Sequence, residues 1–488
     1  MSSSSSSVRT DYDVVEYPHR AFAQTQPDRL AVLGFLFGMQ PALPDRCRVL
    51  ELGGGSGGNL IPLADLYPNS TFYGVDLAQT AIDQGNKRIA ALGLTNIRLE
   101  QMDVTNFPAD AGEFDYIIAH GLFSWVPEPV RDKVLRICQD HLAPQGIAYI
   151  SYNAFPGCHI RRMWRDMMLF HTRQFEDPKL KVEQGKGMLN LVANGCTRND
   201  PGHLLAKDEM KKRGHLDDAA IFHDDLSGCW QPFYLTEFLS LAGAKGLRYL
   251  GEAAYSDMQP TTLTPEALAQ FEPIREQDPV AFEQYMDFFK MRKFRQTLLC
   301  RATVPAQPAA VDRMRQFHFS APIQQVPVQD PNAPPGTTSF RHGINDVTVT
   351  TNNPVSLPAL RLLAERWPAS VSFDEMAAVA GDPQALAAVL HTFYSSAFIN
   401  IHSIPRPVAN SASAKPEVWR VARLEASIDK AIPHLHHGSI ELEDDATRHL
   451  VTLIDGSRTR DDLAPFAGGL QQLEGTLAKM ARAGILIR

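Results

Sequence analysis

The chain has 488 residues, 44% of them hydrophobic and 21% charged, with a formal net charge of −8. That balance is ordinary for a globular protein and implies about three domains at roughly 150 residues each. It argues against a general nucleic-acid binder, although charge alone leaves a local basic patch open. No run approaches the ~18 apolar residues of a membrane span. The six serines after Met1 have no apolar stretch behind them, so residues 1–10 are expected to be a disordered tail and not a secretory signal. The six scattered cysteines form no CxxC pair, which implies reduced cytoplasmic thiols and no zinc or other metal site.

In chain order, the first predicted strand ends in Val49-Leu50-Glu51-Leu52 and runs into Gly53-Gly54-Gly55-Ser56-Gly57-Gly58-Asn59. Glycines let a backbone take φ > 0 and approach a ligand closely. The helix that follows presents unpaired N–H groups. Gly53, Gly55 and Gly58 have dinucleotide spacing, which leaves NAD open. Glu51 favours a different ligand, because an acid here repels a pyrophosphate and suits an ammonium. S-adenosylmethionine (SAM) is such a ligand. A second strand ends at Asp76, placed to accept ribose hydroxyls beside Leu77. A third ends at Asp103, placed to accept the adenine amine between Met102 and Val104. Each aspartate alone could be only a helix cap. Acids at three consecutive strand ends behind one glycine turn point to a cofactor.

Phe114 to His120 reads as a fourth strand, Pro127 to His141 as its crossover helix and Gly146 to Asn153 as a fifth strand. Residues 155–235 break the pattern with helical spacing at 161–175, 179–194 and 204–213. This predicts a helical insertion whose Met and Trp stripe, including Trp164, is its own core or a substrate wall. His215 to Trp230 is polar and reads as a solvated loop or a set of caps. Strands at 247–252 and 295–301 complete a seven-stranded sheet, which suits a methyltransferase better than a six-stranded dehydrogenase.

Beyond a linker at 303–308, helices at 357–366, 373–380 and 383–396 and a strand at 398–402 predict a winged-helix-like module over 309–404. Its third helix carries no Lys or Arg, so packing or protein contact is expected instead of DNA. After a second linker at 405–416, residues 417–488 repeat the theme with helices at 444–455, 459–464 and 470–483 and a strand at 485–487.

Tyr12-Asp13-x-Val-x-Tyr17-Pro18, the segment Phe22 to Leu30, the glycine turn, Ser151-Tyr152-Asn153-Ala-Phe155-Pro156-Gly157 and Phe294 to Cys300 together resemble a known family. It is that of bacterial class I SAM-dependent methyltransferases with a methyltransferase regulatory domain. Among them are rickettsial protein lysine methyltransferases acting on outer-membrane proteins. The chain departs from the family in having Gly53-Gly54-Gly55 where Gly-Cys-Gly is expected. The resemblance implies SAM and a SAM-binding domain over 11–303, and by itself implies no lysine acceptor. The leading expectation is the lysine side chain of a protein, such as an outer-membrane or surface protein precursor.

The expected cofactor residues are Glu51, Gly53, Gly55, Gly57, Asn59, Asp76, Leu77, Asp103, Val104, His120 and Tyr12. His120, Tyr152, Asn153 and Tyr17 are the catalytic candidates, because tyrosine hydroxyls and one histidine at the sheet's carboxyl end can orient or deprotonate an amine. Phe123, Trp125, Phe155 and Trp164 are the substrate-binding candidates. A small-molecule O- or N-methyltransferase, an NAD-dependent oxidoreductase and a SAM-sensing scaffold are the competing readings. The modules after residue 303 are expected to select the substrate and to add little to the methyl-transfer site.

Overall fold

The structure is a computed structural model that describes residues 15, 20–195, 197, 200–305, 307–345 and 347–488. Tyr12 and Tyr17 lie outside the described residues, as does the serine tail.

The first half alternates helix and strand: α1 (Pro27–Leu36), β1 (Arg48–Leu52), α2 (Leu60–Leu66), β2 (Thr71–Asp76), α3 (Gln79–Leu92), β3 (Ile97–Gln101), β4 (Phe114–Ala119), α4 (Glu128–His141) and β5 (Leu142–Asn153). Four helices follow as the insertion: α5 (Cys158–Thr172), α6 (Pro178–Asn194), α7 (Pro201–Arg213) and α8 (Asp218–Asp225). Then come α9 (Leu235–Gly243), β6 (Leu247–Glu252), α10 (Pro265–Gln277), α11 (Pro279–Lys290) and β7 (Phe294–Arg301). The sheet order is β3-β2-β1-β4-β5-β7-β6. The pairs from β3 through to β5 are parallel, and β7 runs antiparallel to both neighbours. The seven-stranded Rossmann-like sheet is therefore as expected. Central strands such as β1 and β4 are near-continuous apolar runs because helices cover both faces. Strand order reverses between β1 and β4, where ligands of open α/β sheets bind beyond the carboxyl ends.

The insertion packs around Trp164, Met168, Val182, Leu189 and Ile221. The stretch expected to be a solvated loop is instead partly helical. Asp217 does cap α8, its side chain accepting from Ala220 N–H. His223 and Asp225 are buried, however: Arg161 and Arg213 both reach Asp225 at 3.0 Å, and His223 Nε2 lies 2.6 Å from Val15 O.

Beyond the sheet come β8 (His318–Ser320), β9 (Ile323–Val326), β10 (Thr338–His342), β11 (Thr348–Thr351), α12 (Ser356–Arg366), β12 (Val371–Ser372), α13 (Phe373–Ala380), α14 (Pro383–Ser395) and β13 (Asn400–His402). The chain ends with α15 (Arg420–Ile428), the hairpin β14 (Ala431–His434) and β15 (Gly438–Glu441), α16 (Asp445–Leu453), α17 (Arg460–Leu463) and α18 (Leu470–Arg482). The strand expected at 485–487 reduces to one bridge, Val418 to Leu486, flanked by backbone hydrogen bonds from Trp419 N–H to Ile485 O and from Ile487 N–H to Glu417 O. One continuous apolar core runs from Leu30 and Val49 through Leu298, Phe319 and Leu390 to Leu477. The C-terminal third is thus packed onto the sheet domain.

Candidate functional site

A cleft of about 2190 Å³ opens beyond the carboxyl ends of the sheet. Its floor is the glycine turn. Gly53 N–H donates to Val75 O at 2.8 Å, which clamps the turn onto the end of β2. Gly53, Gly55 and Gly57 take φ of 74°, 53° and 75°, which side chains rarely adopt. A Cβ on Gly55 would meet nothing within 4 Å, so this backbone faces open cleft. One on Gly57 would lie 2.7 Å from Leu99 Cδ1, and Gly57 does not line the cleft. Gly57 thus serves packing, which corrects its expected place beside the ligand.

Glu51 is 3% exposed yet lines this cleft. Its Oε1 accepts from Asn59 Nδ2 at 2.8 Å, and its buried Oε2 has no hydrogen-bond partner among the described residues. Burial pushes the carboxyl up to about 7. Asn59 Oδ1 accepts from Phe22 N–H at 3.2 Å, Thr25 Oγ1 at 3.0 Å and His437 Nε2 at 2.8 Å. Asp76 accepts from Gly55 N–H at 2.8 Å and Ala78 N–H at 2.9 Å. Asp103 accepts from Thr105 N–H at 2.8 Å as a cap, and still lines the cleft with Met102 and Val104. Leu77 lies on the rim, 48% exposed.

His120 follows β4, with Nδ1 3.0 Å from Tyr149 Oη and its ring 4.2 Å from that of Phe22. Burial lowers its pKa to about 4, so the imidazole is neutral at pH 7 and only weakly basic. Asn153 ends β5 and accepts from Trp230 Nε1 at 2.7 Å. Trp230 lies 6.5 Å from Trp125, ring to ring, with Arg165 at 4.7 Å over its face. Asp224 lines the same region, and its carboxyl is pushed up to about 6 by burial, against the pull of Arg161.

Residues 49–146 match the family described as a methyltransferase domain, and residues 217–301 the one described as a predicted methyltransferase regulatory domain. An uncharacterized protein of Rickettsia prowazekii is 35% identical over 75% of this chain and 67% of its own length. A second from that organism is 34% identical over 50% of this chain and 97% of its own. The solved structure of PKMT2 from Rickettsia typhi in complex with AdoHcy superposes with a TM-score of 0.87 at 26% identity, covering 97% of this chain and all of that one. The chain belongs to the SAM-dependent methyltransferases that carry a methyltransferase regulatory domain.

The cofactor of this methyltransferase family is SAM, and the residues present fit it. A buried carboxylate oxygen without a partner suits the amino group, and the open glycine turn leaves room for the rest. A Cβ at Gly54 would come within 3.1 Å of Glu51 Oε2, so the triple glycine keeps that oxygen uncrowded. Among the described residues, no group of three or more His, Cys, Asp or Glu could hold a metal, and no helix is long and apolar enough to cross a membrane.

Several aromatic candidates are not brought to the cleft, which corrects the expectation for them. Tyr152 stacks on Phe238 at 4.2 Å and pairs with Thr297 Oγ1 at 3.1 Å, inside the sheet core. Phe123 joins that core, and Trp164 the core of the insertion. Phe155 is buried against His159, ring centroids 4.2 Å apart. For Tyr152 the reason is alternation: successive strand residues face opposite ways, so Asn153 lines the cleft and Tyr152 cannot. Sequence reasoning missed Asp224, Trp230 and His437. Trp230 and Asp224 carry a local signal, as an indole and an acid in the polar stretch that closes the insertion before α9; His437 carries none.

Proposed function

We propose that this methyltransferase acts in the cytoplasm and transfers a methyl group to lysine side chains of a protein substrate. The observation that carries the reading is the size and reach of the cleft. Small-molecule sites fill ~300–1,000 Å³. At about 2190 Å³, this cleft extends past the glycine turn between the insertion, at Glu176 and Lys181, and the C-terminal hairpin, at Lys430 and Glu441. That space accommodates a cofactor and an extended peptide together. The similarity to PKMT2, whose name marks a protein lysine methyltransferase, supports the same reading.

Glu51 would receive the cofactor's amino group, Asp76 the ribose, and Asp103 with Met102 and Val104 the adenine. SAM supplies, when bound, a methyl group already activated by its sulfonium. The protein's task is then alignment and the exclusion of water. Asn153 and Trp125 form the polar and aromatic wall that orients an approaching amine, with Trp230 behind them holding the Asn153 amide. Asp224 attracts its ammonium and, with a carboxyl near 6, is better matched than His120 to hold a proton near neutral pH. His120 contributes a neutral, oriented ring beside Phe22 and Tyr149.

The test incubates the full chain with methyl-labelled SAM, a panel of lysine-rich proteins and a panel of small phenols, acids and amines, and maps the label by peptide mass spectrometry. Label on lysine Nε supports the reading. Label confined to the small acceptors would replace it with a small-molecule methyltransferase.

A further inference from the structure

The C-terminal modules, expected to add little to the methyl-transfer site, reach the residues beside the glycine turn through a direct side-chain contact. His437 sits in the turn between β14 and β15, 2% exposed and at φ 61°, and its Nε2 reaches Asn59 Oδ1 at 2.8 Å across 378 residues of sequence. We propose that the C-terminal hairpin is part of the cofactor site: His437 is a positioning residue that locks the Asn59 amide, and thereby aims Glu51 Oε2 at the amino group of the cofactor's methionine portion.

An asparagine amide has two chemically different ends, and only their partners decide which way it points. Here the Phe22 backbone N–H, which can only donate, claims Oδ1, and His437 Nε2 and the Thr25 hydroxyl crowd the same oxygen, so Nδ2 faces Glu51 and His437 in its Nε2–H tautomer reinforces that orientation. That bond occupies Oε1 and leaves Oε2 as the buried oxygen without a partner. Such an oxygen is costly in the absence of a donor. A ligand ammonium satisfies it and supplies the opposite charge. His437 is held in turn, its backbone N–H donating to His434 O at 2.9 Å. The hairpin is anchored beside the same entrance, with Ser439 Oγ accepting from Ala21 N–H at 3.4 Å and Arg88 of α3 pairing with Glu425 of α15 at 3.0 Å. Lys430, Ala431 and Glu441 then form one wall of the cleft.

The experiment compares two ligands on the full chain by titration calorimetry. S-adenosylhomocysteine carries the amino acid portion. 5′-Methylthioadenosine keeps the adenine, ribose and sulfur and lacks that portion. His437→Gly removes the donor and suits the left-handed backbone. It should weaken S-adenosylhomocysteine about tenfold, the loss of one hydrogen bond in a charged network, and leave methylthioadenosine within about twofold. His437→Gln, whose amide nitrogen reaches the same point, should restore most of the affinity. In a Glu51→Gln background, His437→Gly should add nothing further. Equal weakening of both ligands, or of neither, would overturn the proposal. Should the glycine variant not fold, histidine ¹⁵N spectra of the wild type decide, with the His437 signal assigned from the glutamine variant. That signal should shift with S-adenosylhomocysteine and not with methylthioadenosine, and an equal response to both would overturn the proposal.

Discussion

Asp28 and Arg406, 378 residues apart, meet at 2.8 Å with both side chains buried. Asp28 also takes His402 Nδ1 at 3.0 Å and Ser403 N–H at 2.7 Å, while Arg406 reaches Tyr67 Oη at 3.2 Å and pairs with Gln26. The segment expected to be a linker therefore plugs a guanidinium into the start of α1.

Asp28→Asn should lower stability by about 3–5 kcal/mol, because it leaves a buried guanidinium uncompensated. Urea denaturation measures it. Burial pushes the Asp28 carboxyl up, but Arg406, His402 and Ser403 more than offset this and hold it well below the usual carboxylate range. Its stabilisation is thus present above the ordinary carboxylate pKa and is lost only under stronger acid. A variant as stable as the wild type would show that the latch contributes nothing.

A chain ending near Pro305 should not bind SAM as the whole chain does. It would strip cover from the core around Leu30 and Tyr67 and remove His437 from Asn59. The expected outcome is an aggregating product, or a soluble one with S-adenosylhomocysteine affinity lowered at least about tenfold. Full affinity in a soluble truncation, read by calorimetry, would refute it.

For Glu51, the carboxyl near 7 makes two signs testable. In the unliganded protein its folded pKa is raised, so its favourable contribution is complete below about 4.5 and is lost as pH rises toward 7, by on the order of 3 kcal/mol at most. Relative to Glu51→Gln, the wild type should lose melting temperature over that window. S-adenosylhomocysteine affinity should run the opposite way, weakening as pH falls below about 7, since the neutral acid pairs poorly with an ammonium. Parallel pH profiles for the two proteins would refute both.

Asp76→Ala should weaken SAM by about 1.5–3 kcal/mol through loss of charge-assisted hydrogen bonds. Part of that loss would come through the glycine turn, which Asp76 holds at Gly55 N–H. Unchanged affinity in a folded variant, checked by calorimetry and circular dichroism, would remove Asp76 from the site.

The sheet and its three acidic strand ends were legible in the sequence because parallel strands read as apolar runs and the glycine turn punctuates them locally. Glu51, Asp76 and Asp103 follow from position in such a run. The insertion helices were legible from their spacing for the same reason. Which aromatics reach the cleft was not: Tyr152 and Asn153 differ by one residue, and only the packing of Phe238 on one face of β5 decides between them. The buried state of Asp225 depends on arginines brought from α5 and α7. The union of the C-terminal third with the sheet domain rests on the shared apolar core and is pinned by Asp28 with Arg406 and Asn59 with His437. Local periodicity carries no trace of a hydrogen bond across 378 residues, so only the tertiary fold could place that histidine beside the glycine turn.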